Sequence, residues 1–149
     1  MRHTRSAQTR FIGVALCLAL LTAGGVAVAR QTVPTEEEFG PLMTEIRFTV
    51  GDADLHVDAR YWPELGEDLD KLIPMFRQVE AFWSQRGMDD AVGFAQQSLA
   101  VLGDLSDATT DQNRGSARAA VDALRGTCQP CHEVYREQTD DGYRIKPGF

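Results

Sequence analysis

Five residues near the end of the chain, Cys128-Gln129-Pro130-Cys131-His132, limit what it can fold into more than any other feature. Two thiols three positions apart, followed at once by an imidazole, have the Cys-x-x-Cys-His spacing of a c-type haem attachment site. The spacing has a chemical reason. Each thiol can add across one of the two vinyl groups on the same porphyrin edge, and the next residue is then held under the iron as an axial ligand. On a helix, positions 128, 131 and 132 share one face, so a single turn presents all three groups. The expected cofactor is one covalent haem c, attached through Cys128 and Cys131 and ligated by His132.

The start of the chain says where such chemistry would happen. Arg2, Arg5 and Arg10 form a positive segment, and Phe11 to Leu21 is an apolar stretch. That stretch is too short for a membrane span, which needs ~20 residues. Ala27-Val28-Ala29 has the small-x-small pattern of a cleavage site. Residues 1–29 therefore read as a secretory signal and 30–149 as the mature domain, exported to the periplasm. An uncleaved anchor is the rival, and Gly24 and Gly25 argue against it by interrupting the apolar run. Cys17 leaves with the signal, so the two motif cysteines are the mature domain's only ones.

Three other readings of the cysteine pair compete. A disulfide would close a tiny loop and give His132 no role. A thioredoxin-like centre would follow a strand in a βαβ pattern, which is not visible here. A zinc site would need two further ligands, and the mature chain has one other histidine, His56, and no other cysteine.

After residue 29 the chain has 22 acidic and 12 basic residues, a formal charge of −10. This argues against nucleic-acid binding and for a redox partner with a basic patch. Four helical patterns follow one another. The first, from about Glu36 to Ala59, carries Phe39, Leu42, Met43, Ile46, Val50, Ala53 and Val57 at three- and four-residue steps. Thr35 and Glu38 have the spacing of a capping box. Pro41 speaks instead for a kink in the first turn or a start just after Gly40. The second runs from about Pro63 to Arg86, with a bend expected at Pro74. The third runs from Asp89 to about Leu105, and a polar connector, Ser106 to Gly115, follows. The fourth runs from Ser116 to about Glu137 and contains the haem motif. No strand-like alternation is evident. The fold class expected is all-α: an antiparallel four-helix bundle with the haem on its fourth helix.

This layout resembles the class II c-type cytochromes, the cytochrome c-prime group and its low-spin relatives. The motif lies at the C-terminal end. It continues as Glu133-Val134-Tyr135-Arg136, similar to that family's Cys-x-x-Cys-His-x-x-aromatic-Arg run. The first helix carries Met43 within Phe39-Gly40-Pro41-Leu42-Met43-Thr44-Glu45-Ile46. The resemblance implies a methionine near the start of the first helix as distal iron ligand. It implies Arg136 near the haem edge or a propionate, and a homodimer through the first two helices. The chain departs from the family where Phe39 and Gly40 replace a basic residue before the methionine. It also continues 13 residues past Arg136, a tail expected over the bundle or near the haem edge.

Bundle geometry tests the distal candidates separately. With the first and fourth helices antiparallel, Met43 and His132 lie at the same level. His56 is roughly 20 Å farther along the first helix, which argues against bis-histidine ligation. Met75 and Met88 fit core or boundary roles, and Trp62 and Trp83 fit core roles. A methionine on an apolar stripe is also an ordinary core residue. If Met43 does not bind, the iron is five-coordinate in an apolar pocket suited to NO or CO. The function expected is thus one-electron transfer, with gas binding as the alternative. No nucleophile, base and orienting group are present together, so no enzymatic activity is expected.

Overall fold

The structure is a computed structural model and describes residues 32–149. The signal read at 1–29, and its cleavage site, lie outside the described residues. Four helices make up most of the described chain: α1 Glu36–Ala59, α2 Trp62–Gln85, α3 Asp89–Thr110 and α4 Arg114–Tyr135. Two short strands follow, β1 Arg136–Thr139 and β2 Gly142–Ile145. Among the described residues, no helix is long and apolar enough to cross a membrane.

The helix ends follow from local chemistry. Thr35 accepts from the backbone N–H of Glu38, and the Glu38 carboxylate accepts from the Thr35 N–H at 2.8 Å. This reciprocal pair starts α1 at Glu36 and carries it through Pro41, settling the choice between the two expected starts. Arg60 ends the helix in the left-handed region, φ 59°. Helix α2 likewise continues through Pro74. Helix α3 extends beyond the expected Leu105, so most of the expected connector is helical. Leu105 and Ala108 are buried, and the hydroxyls of Thr109 and Thr110 bond back to the Leu105 and Ser106 carbonyls. Only Asp111–Asn113 connect α3 to α4, and the Asn113 side chain caps α4 by accepting from Ser116 N–H at 3.1 Å.

Each helix packs on the next, and α1 also meets α4, so the four surround one core. Val57, Leu65, Leu72, Phe82, Trp83, Leu102, Leu105, Val121 and Leu124 are its most buried large side chains. Two contact sets fix its ends. At one end, Arg118 bonds the carboxylate of Asp54 and lies 2.7 Å from Asp58, while Arg125 reaches Asp54 at 2.6 Å. These join the end of α1 to the first half of α4. At the other end, Phe39 stacks on Phe82 with centroids 4.0 Å apart, and Trp83 lies 4.6 Å from Tyr135. The start of α1, the end of α2 and the end of α4 therefore share that end.

The strands correct two expectations. Helix α4 stops at Tyr135, so Arg136 and Glu137 belong to β1 and not to the helix. The tail forms a β-hairpin with Arg136 opposite Ile145 and Thr139 opposite Gly142. Gly142 takes φ 132°, a conformation that glycine reaches without steric cost. Four-residue strands of mostly polar residues are too short for a period of two to stand out.

Candidate haem-attachment site

Helix α4 separates its residues by face. Ala117, Ala120, Val121, Leu124 and Tyr135 turn inward and are buried. The rows 125–129–133 and 128–132–136 face an open cleft of about 390 Å³. Arg125, Cys128, His132, Arg136, Gln138 and Tyr143 are among its walls. The spacing i, i+4 stacks Cys128 and His132 on this face. Cys131 lies on the other shoulder of Cys128, half-buried against the core.

Hydrogen bonds hold the motif segment in place. Ser98 on α3 meets Thr127 at 2.7 Å, and Thr127 bonds the Leu124 carbonyl at 2.7 Å. The Cys128 thiol donates to the same carbonyl at 3.5 Å. Past the motif, the Tyr135 hydroxyl donates to Asp90 at the start of α3. Burial and this bond push the Tyr135 phenol up to about 12.

The electrostatics separate the competing chemistries. Burial raises the Cys128 thiol, although Thr127 and Arg136 oppose it. Burial, with Cys128 and Asp90 adding to it, pushes Cys131 up to about 11. A redox-active thiol pair needs the opposite shift, because the thiolate is the reactive form. Burial, then the positive charge of Arg136, lowers the His132 imidazole below its ordinary 6.5. It is therefore neutral near pH 7, with a lone pair available to a metal.

The remaining candidates are dispersed. Met43 is half-buried against the core and is not among the residues lining the cleft. His56 pairs with Asp68 at the far end. Met75 is buried, and Met88 stands just before α3. Trp83 is buried as expected, but its indole N–H has no partner among the described residues. Among those residues, no group of three or more His, Cys, Asp or Glu is assembled for a metal ion. Haem asks for less, since the porphyrin supplies four of the iron's donors. Two free half-buried thiols one turn apart, and a neutral imidazole facing an open cleft, fit that group. Sequence reasoning missed Tyr143 and Gln138, whose places depend on the hairpin register.

Comparison with protein-family models, with curated proteins and with solved structures found no match.

Proposed function

We propose that this chain is an exported c-type cytochrome that carries single electrons. Cys128 and Cys131 would hold its haem, His132 would ligate the iron, and Met43 is the candidate for a second ligand. The observation that carries this reading is His132 in an open cleft beside Cys128, with the second thiol one turn away on the same helix. The up-down-up-down bundle of the proposal is supported by the two sets of end contacts, Asp54 with Arg118 and Phe39 through Trp83 to Tyr135.

When bound, the haem supplies a metal centre that takes up and returns one electron. The protein's residues do the rest. Cys128 and Cys131 would anchor one edge of the group as thioethers, each S–H having added across one vinyl group. His132 would ligate the iron from a helix tied to α3 by the Ser98–Thr127 hydrogen bond. Arg136 places a positive charge in the same cleft. A frame held at both ends changes little between oxidation states, which favours fast exchange. The acidic mature chain is complemented by a redox partner with a basic patch.

A second reading, five-coordinate binding of NO or CO, is favoured by one observation: Met43 packs on the core and does not line the cleft.

The test is expression of the full chain in a host competent in haem attachment. The expected result is a mass gain of one haem and a pyridine haemochrome spectrum of the c type, both lost in Cys128→Ala/Cys131→Ala. A colourless protein without that mass gain overturns the reading.

A further inference from the structure

One wall of the cleft beside His132 is built by the hairpin. Its register sets Arg136 opposite Ile145 and Gln138 opposite Tyr143, so these four side chains share one face. Arg136, Gln138 and Tyr143 line the cleft, and all three are exposed. Glu137 and Arg144 pair on the other face, 2.6 Å apart.

Two arginines line this cleft, Arg125 and Arg136, and a third, Arg144, stands on the other face of the hairpin; they are not equivalent. Arg125 is paired with Asp54 at 2.6 Å, and Arg144 with Glu137. Arg136 has no carboxylate partner among the described residues. Its guanidinium carbon instead lies over the Tyr143 ring, 4.3 Å from the centroid. A long exposed side chain is thus held by an aromatic face and keeps its charge unspent next to His132.

We infer that Tyr143 is a positioning residue: its ring holds the Arg136 guanidinium in the cleft, against a carboxylate of the haem, and the charge so placed favours the reduced state. The inference rests on the cytochrome reading above and adds to it a residue outside the attachment motif. The physical basis is simple. The reduced centre carries one positive charge fewer, so a fixed cation that neutralises a nearby carboxylate makes reduction easier. Attraction between a guanidinium and an exposed aromatic face biases the arginine's position by about two- to fivefold. A lysine would not lie flat on the ring in the same way.

The experiment compares the full chain, haem-loaded, as wild type, Tyr143→Phe, Tyr143→Leu, Arg136→Gln and the Arg136→Gln/Tyr143→Leu double variant. The expected result is a reduction equilibrium about threefold less favourable in Tyr143→Leu, about 30 mV at ~59 mV per tenfold. Tyr143→Phe keeps the ring and the wild-type potential. Arg136→Gln falls at least as far as Tyr143→Leu, and the double variant falls no further than Arg136→Gln. In the haem-free chain, the Arg136 Cδ protons carry an upfield ring-current shift that Tyr143→Leu abolishes. A wild-type potential in Tyr143→Leu overturns the inference, as does a Tyr143→Phe potential as low as that of Tyr143→Leu. Absence of haem from the wild type overturns the cytochrome reading and this inference with it, and mass alone identifies that outcome. Haem present with unmoved potentials removes the inference and leaves the cytochrome.

Discussion

His56 Nδ1 lies 2.7 Å from Asp68 Oδ2 and ties the end of α1 to the start of α2. The carboxylate is buried and the imidazole is half-buried. The ring nitrogen and the carboxylate oxygen share one hydrogen bond. His56, the other histidine among the described residues, therefore already has a structural task at the end of the molecule away from Tyr135.

Removing the imidazole leaves a buried carboxylate without its donor. His56→Ala is expected to destabilise the fold by about 2 kcal/mol, the range for hydrogen bonds to charged groups. Asp68→Asn keeps an acceptor oxygen and is expected to cost less, about 1 kcal/mol. Urea denaturation of the three proteins measures both; on the cytochrome reading, the haem spectrum should be unchanged in each.

Asp54 sets an acid limit on stability. Burial alone would raise its carboxyl, but hydrogen bonds and charge from Arg125 and Arg118 outweigh this and hold it below its ordinary 3.8. A carboxyl lowered on folding contributes stability that is present above the unfolded value and lost as pH falls through the folded one. Melting temperature should therefore be flat down to about pH 4 and then drop. Asp54→Asn should be less stable at pH 7 and show a shallower acid limb in thermal melts from pH 2 to 7.

The thiols of the haem-free chain should be sluggish. Cys131 is pushed up to about 11 and Cys128 is also raised. Thiolate absorbance should stay low through pH 8 and rise for Cys131 only near pH 11. Iodoacetamide labelling at pH 7.5, followed by mass spectrometry, should be slower than for a small free thiol. Fast labelling would mean that these cysteines belong to a redox centre.

Met43 decides between the two functional readings. With methionine on the iron, the oxidised protein has a methionine–iron band and the reduced one sharp α and β bands. Met43→Ala should replace these with a broad high-spin spectrum that sharpens on adding CO. An unchanged spectrum in Met43→Ala removes this residue from the iron.

Helix α1 was legible in its extent but not in its start: Pro41 offered a second beginning, and the Thr35–Glu38 capping pair decides for Glu36. The end of α3 was not. Serine, threonine and aspartate read as a connector, but buried Leu105 and Ala108 and the back-bonding threonines keep the segment helical. Cys128, Cys131 and His132 are visible as a spacing, since one helical turn is local geometry. Tyr143 left no such sign, because its place depends on a two-stranded register. The bond from Tyr135 to Asp90 spans 45 positions and has no local pattern to announce it.

Arg118 and Asp54 are 64 positions apart, whereas the most extensive helix pairings join successive helices. Closing the largest loop costs the most chain entropy, so this ionic clasp should form late in folding. Interactions absent from the transition state act mainly on the unfolding rate. The clasp's main effect would then be on the lifetime of the folded protein: losing it should shorten the time each molecule stays closed, with little change in how quickly a new one forms.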